Sequence, residues 1–234
     1  MGIWDVHYLG KRDRAQGTKS FAFERPDGLE YRPGQFFYVA IPAEDPAGDP
    51  LLHHFSFSSS PTEPHIEFTT RMTGHEYKKR LDSLVPGTEA RIDAPWGEFV
   101  VDPGAGAVAW ICGGIGITPA RSTIRWALDT GADLDIVLLC ANRDAASIAF
   151  REELASMRSD RMRVVDVLSH PDAGWNGPTG HVDADLVREQ VPDWAARRFF
   201  VSGPARMVEG TSAALRGLGV SDDRLMAERF PGYE

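Results

Sequence analysis

The feature that most constrains this chain is a change of hydrophobic period at Asp102-Pro103-Gly104-Ala105-Gly106. Before that break, apolar residues recur at every second position. Phe21 and Phe23 flank Ala22. Ile66, Phe68, Thr70 and Met72 alternate with Glu67, Thr69 and Arg71, and Ala90, Ile92 and Ala94 alternate with Glu89, Arg91 and Asp93. Successive side chains of a strand point to opposite faces, so this half predicts strands with one buried face. RPDG, RPGQ, EDPAGDP, VPGT and APWG supply turns between them. Short strands with frequent turns predict an antiparallel barrel or sandwich, with one short helix over 75–84.

After the break, short apolar runs alternate with helical stretches. AVAWIC, DIVLLCA, MRVVDVLS and RRFFVSG read as buried strands, and 119–130, 145–158, 183–190 and 204–217 as helices. Such alternation predicts a parallel sheet covered on both faces. The expected organisation is therefore two domains, 1–102 and 103–234.

Composition narrows the classes of function. The 234 residues are 42% hydrophobic, enough for packed cores, and carry a formal net charge of -9. That charge opposes a nucleic-acid protein, which shows a basic footprint. Met1–Gly10 is too polar for a secretory signal, and no apolar run approaches the roughly 20 residues of a membrane span. No membrane insertion and a cytoplasmic location are expected. Cys112 and Cys140 lie in apolar runs and read as buried thiols; two cysteines are too few for a cysteine-ligated iron–sulfur cluster.

Two strand-to-helix turns carry the strongest chemical signal. In CGGIGITP, 112–119, Gly113, Gly114 and Gly116 let the backbone approach a ligand closely, and Pro119 suits a first helical turn. Free amides and the helix dipole there favour a phosphate. The spacing is not the common G-x-G-x-x-G. VSGPARM, 201–207, repeats the arrangement with Ser202, Gly203 and Pro204. With strand order 3-2-1-4-5, the two turns would meet where the winding of the sheet reverses, the usual ligand crevice of such folds.

LLHHFSFSSSP, 51–61, is the third motif. Strand alternation puts His53, Phe55 and Phe57 on one face and His54, Ser56 and Ser58 on the other. Adjacent histidines that point apart make a poor metal site, and no metal is expected. No G-x-S-x-G elbow supports a serine hydrolase. Ser59 and Ser60 read as turn residues before Pro61.

In order along the chain, YRPGQFFYVAIP, HHFSFSSSP, APWGEF, GGIGITP, SGP and ERFPGY resemble the motifs of the ferredoxin–NADP⁺ reductase superfamily, in its short form without an iron–sulfur domain. The resemblance runs over nearly the whole chain. It implies a six-stranded antiparallel β-barrel that binds flavin, followed by an α/β parallel-sheet domain that binds NADH or NADPH. It implies that Phe55 packs on the flavin ring, that Ser56 bonds near the reacting nitrogen, and that His53 stands where most relatives place an arginine against phosphate. Phe57 belongs to the same motif.

Gly74, Tyr77 and Lys78 would serve the pyrophosphate of FAD, which is expected over FMN. Thr118 and Ser202 would line the nicotinamide site, Ser202 standing where relatives often carry cysteine. Ser56 and Ser202 are the expected catalytic residues, as orienting groups. Asn142 and Arg143 would face the adenosine ribose. Arg143 suits a 2′-phosphate and Asp144 a free hydroxyl, which leaves NADH and NADPH open. Phe230 or Tyr233 would cover the flavin. The implied activity is NAD(P)H oxidation with one-electron transfer to a ferredoxin- or flavodoxin-type protein. The alternatives are reduction of small acceptors such as ferric chelates, free flavin or quinone, and a non-catalytic flavin-binding subunit.

Overall fold

The structure, a computed structural model, describes residues 1–45 and 47–230. Six strands, β1 Gly2–Ala15, β2 Thr18–Glu24, β3 Phe36–Ile41, β4 Leu51–Ser56, β5 His65–Arg71 and β6 Glu89–Trp96, form one antiparallel sheet in the order β4-β3-β6-β1-β2-β5. The sheet curls so that its two outer strands approach each other. There the Ser58 and Ser59 amides, just beyond β4, both donate to the Glu67 carbonyl of β5 at 2.7 and 3.2 Å.

The alternating residues fill the half-barrel as the period predicts. Tyr8, Phe21, Phe23, Phe37, Phe57 and Phe68 are at most 1% exposed. Helix α1, Glu76–Ser83, lies between β5 and β6 and buries Tyr77, Lys78 and Leu81.

Five parallel strands follow: β7 Gly106–Gly113, β8 Leu134–Asn142, β9 Met162–Leu168, β10 Arg198–Pro204 and β11 Leu225–Phe230. Their order is β9-β8-β7-β10-β11, the 3-2-1-4-5 arrangement under which the two glycine turns become neighbours. Helices α2 Ile117–Thr130, α3 Arg151–Ser156, α4 Ala184–Gln190 and α5 Ala205–Gly217 connect them. One face of this sheet buries Trp110, Cys112, Leu138 and Cys140; the other buries Ile111, Val137, Leu139 and Val201. Burial on both faces explains the uninterrupted apolar runs.

Two elements differ from the sequence reading. The helix expected over 145–158 is divided. A short 3₁₀ turn at Ala145–Ser147, capped by Asp144, gives way to Phe150 in the left-handed region, φ 59°, before α3 begins. The last strand, β11, lacked a distinct apolar run because only one of its sides meets the core; its burial runs intermediate, exposed, exposed, intermediate, exposed, intermediate. No helix among the described residues is long and apolar enough to cross a membrane.

Candidate functional site

The winding reversal lies between β7 and β10, and two clefts open there. The first is lined from the barrel side by Phe36, His53, His54, Phe55, Ser56 and Thr69. Ile115, Thr118, Glu228, Arg229 and Phe230 line it from the parallel-sheet side. Its wall is built by stacking. Phe55 lies parallel to Phe68 at 4.0 Å and 3°, and His53 lies on Phe55 at 4.7 Å and 14°. The Lys78 ammonium sits 4.4 Å from the Phe55 ring centre, donates to the Thr70 hydroxyl, and is pushed down to about 7 by burial.

His53 is also held below its ordinary value, first by burial and then by like charge from Lys78, His54 and His75. Its Nδ1 lies 2.8 Å from the His54 amide nitrogen and 2.9 Å from the His54 carbonyl oxygen. The ring is thus a neutral stacking partner and hydrogen-bond donor near neutral pH. Across the cleft, Glu228 Oε2 is buried with no hydrogen-bond partner among the described residues, and burial pushes its carboxyl up to about 7.

The second cleft is lined by Arg71, Gly113, Gly114, Ala141, Asn142, Arg143, Ser169, Gly180, His181, Pro204 and Met207. Asn142 Oδ1 is buried here without a partner among the described residues. The two turns that carry its glycines pack backbone to backbone. A Cβ on Gly116 would lie 2.2 Å from the Ser202 carbonyl, and one on Gly203 would lie 2.9 Å from the Gly113 carbonyl.

The expected site residues therefore divide. His53, Phe55, Ser56, Thr118 and Phe230 meet in the first cleft, and Gly113, Gly114, Asn142, Arg143 and Pro204 in the second. Gly116 and Gly203 bring the turns together, and Pro119 is buried in the first turn of α2.

Four placements need correction. Phe57 is 0% exposed in the barrel core, stacked on Tyr31 at 3.9 Å and Phe37 at 4.2 Å, because the face it shares with Phe55 turns into the core. Ser202 is also 0% exposed. Its hydroxyl donates to the Gly116 carbonyl at 2.7 Å and accepts from the Trp110 indole at 2.9 Å, so it pins the two turns and does not face the cleft. Tyr77 turns inward and donates to the Val39 carbonyl at 3.2 Å. Lys78 likewise lies beneath Phe55 and away from any surface phosphate. Ser59 and Ser60 lie in the turn between β4 and β5, as read from the sequence, with the Glu63 amide donating to the Ser60 carbonyl at 3.0 Å, and both are fully buried where the sheets meet.

Gly74 is exposed and lines neither cleft. Beside it the Thr73 hydroxyl is buried and without a partner among the described residues. Tyr233 falls outside the described residues.

Sequence reasoning missed Thr73, Thr69, Phe36 and Glu228. The usable signal for Glu228 was the acid inside ERFPGY on a parallel-sheet edge; for Thr73, the hydroxyl two residues ahead of the helix.

A barrel cleft walled by aromatic rings and closed by a glycine-turn nucleotide sheet defines a two-domain oxidoreductase of the flavin and pyridine-nucleotide class. Residues 110–213 match the oxidoreductase NAD-binding domain family. The chain is 32% identical over 240 residues to ferredoxin–NADP reductase B of Sorangium cellulosum, covering 97% of each protein. It belongs to the ferredoxin–NADP reductase family. It is also 29% identical to a glycine betaine monooxygenase reductase subunit of Pseudomonas aeruginosa; that match covers 97% of this chain but 61% of the relative. Its fold superimposes on a Neisseria gonorrhoeae ferredoxin NADP⁺ reductase with bound FAD and NADP. The TM-score is 0.84 at 17% identity, covering 98% of this chain and 99% of that one.

Proposed function

We propose that this chain is an FAD-dependent NAD(P)H oxidoreductase that passes electrons singly to a small ferredoxin- or flavodoxin-type protein. Residues 1–102 form its flavin unit and 103–234 its nucleotide unit. One observation carries the reading. The aromatic wall of the barrel and the nucleotide turn line the same cleft, so Phe55 and Ser56 stand opposite Ile115, Thr118 and Glu228. Bound FAD supplies the redox chemistry, accepting a hydride from the nicotinamide and releasing electrons one at a time.

The residues fit such a group. Thr73 Oγ1, Asn142 Oδ1 and Glu228 Oε2 are buried without protein partners among the described residues. Buried polar atoms are nearly always paired, so Glu228 in the first cleft and Asn142 in the second mark ligand contacts, while Thr73 lies outside both clefts, ahead of α1. Phe55 supplies a flat face and Ser56 a hydroxyl that orients the ring edge. Glu228, half protonated near neutral pH, holds a proton at Oε2 beside them. His53 contributes a neutral imidazole in place of an arginine charge. That leaves phosphate binding to the Thr73 hydroxyl and to the amides leading into α1.

The preferred nucleotide is NADPH. Asp144, the acid that would suit a free 2′-hydroxyl, accepts from the Ser147 amide at 3.0 Å and the Ser147 hydroxyl at 2.6 Å. Arg143 remains exposed at the second cleft, its guanidinium making no hydrogen bond or ion pair among the described residues. The acceptor class is supported by the relative that is named a ferredoxin–NADP reductase.

The test is a titration of the FAD-reconstituted chain with each nucleotide under steady turnover. NADPH should give the higher kcat/KM, and Arg143→Ala should remove the difference. Equal use of both nucleotides by the wild-type chain would refute the preference.

A further inference from the structure

The sheets meet through a buried polar network centred on Arg121, whose ion-pairing residues line neither cleft and to which no role has so far been given. We infer that Arg121 and Ser122, in α2, are positioning residues that bolt the nucleotide helix to Ser58 and Ser59, the direct continuation of the strand carrying Ser56. They thereby set the separation of flavin and nicotinamide. The inference rests on the proposed function for what is positioned, and on the geometry alone for the bolt itself.

Arg121 is 5% exposed. Its Nη1 donates to the Ser58 carbonyl at 2.9 Å, its Nη2 to Glu63 Oε1 at 3.0 Å, and its Nε to Glu153 Oε1 at 2.7 Å. Burial alone would lower its pKa, but the bonds and charges of Glu63 and Glu153 outweigh that and raise it, so the charge is permanent. Ser122 donates to the Ser59 carbonyl at 2.6 Å. Two consecutive residues of one helix thus hold two consecutive carbonyls of the barrel segment. Glu63 is itself fixed, accepting from the Ser60 amide at 2.6 Å.

A second strut completes the joint. Arg14 of β1 donates to Glu67 at 2.9 Å and to Glu153 at 3.3 Å. Glu153 therefore receives one arginine from each sheet. Phe150 lies between them, its ring 4.7 Å from the Arg14 guanidinium carbon and 5.7 Å from that of Arg121. A phenylalanine at φ 59° is a rare backbone state, kept where the surroundings impose it and common at functional sites.

The network reaches the cleft. Glu67 accepts from the Ser58 hydroxyl at 2.9 Å, and Ser58 accepts from Thr69 at 2.9 Å. Thr69 lines the first cleft, as does Thr118, three residues before Arg121 on the same helix. A shift of α2 against Ser58 thus moves one wall of the cleft against the other. Interfaces between domains of a chain ordinarily allow relative motion. Misplacing reacting groups by about 1 Å can cost on the order of a hundredfold in rate. Charge-assisted bonds to fixed carbonyls are the directional contacts that suppress such motion.

The test compares Arg121→Gln, Arg121→Lys and Ser122→Ala with the wild-type full chain. Amide hydrogen exchange is measured first, without added cofactor. Arg121→Gln should accelerate exchange at 57–60 and 118–124, while β1 and β6 keep wild-type protection. The FAD-loaded proteins are then mixed with NADPH without oxygen. Arg121→Gln should lose the long-wavelength flavin–nicotinamide absorbance and slow bleaching by roughly tenfold to a hundredfold. FAD affinity should stay within about threefold, since the joint touches neither Phe55 nor Ser56. Arg121→Lys should recover part of the rate.

If Arg121→Gln fails to fold, Ser122→Ala carries the test, with the same local exchange pattern and a smaller loss of rate. Unchanged rate and exchange in these variants would overturn the inference, and so would acceleration of exchange spread over both sheets. A wild-type chain that no nucleotide bleaches would overturn the proposed function instead, and the exchange pattern would still decide the bolt.

Discussion

Glu228→Gln tests the reading of the crevice through stability alone. An unfolded glutamate titrates near 4.5, and burial in β11 pushes Glu228 up to about 7. At about 1.4 kcal/mol per pH unit, that displacement corresponds to about 3 kcal/mol, an upper bound because part of the residue meets solvent. The sign follows from the raised value. The protonated form is the one the fold accommodates, so its contribution is complete below about pH 4.5 and lost as pH rises through 7.

Glutamine mimics the protonated state and removes the dependence. The wild-type chain without flavin should therefore match the variant at pH 4.5 and fall below it by up to about 3 kcal/mol at pH 8.5. For a chain of this size that is a Tm difference of about 6 °C or more. Urea denaturation at four pH values between those limits measures it. Parallel profiles for the two proteins would mean that the carboxyl is solvated, and the argument for a poised acid in the cleft would fail.

Three further substitutions probe the remaining structure. Gly116→Ala places a Cβ 2.2 Å from the Ser202 carbonyl; unfolding should cost at least about 1–3 kcal/mol less, and bleaching by either nucleotide should be lost. Ser202→Ala leaves the Trp110 indole N–H unpaired and takes one bond from the Gly116 carbonyl, so calorimetry should show a loss of about 1–3 kcal/mol. A catalytic serine would instead lose rate with stability unchanged. Phe55→Ala removes the ring stacked on Phe68 and should lower stability by about 3–5 kcal/mol and weaken FAD binding in a fluorescence titration.

How much of this was legible depended on whether local pattern or tertiary packing decided each feature. Period two in 21–101 and the apolar runs after Gly106 state which faces are buried, so the antiparallel and parallel sheets could be read directly, whereas strand order is set by tertiary pairing and could not. The glycine turns were equally legible, because Gly116 and Gly203 occupy positions where any Cβ collides with backbone. Direction within a motif was not. Phe57 and Ser202 sit in the right segments but turn into the core, where Phe57 stacks on Tyr31 and Phe37 and Ser202 meets Trp110 from a neighbouring strand. Glu228 and the Arg121 network depend on residues between 32 and 139 positions apart in the chain, which no local period records.

The central claim is tested most directly by anaerobic spectroscopy. The purified chain, incubated with FAD and freed of excess, should be yellow, and NADPH should bleach its flavin absorbance within seconds. A protein that stays colourless after incubation, or a yellow one that neither NADPH nor NADH bleaches, would contradict the account.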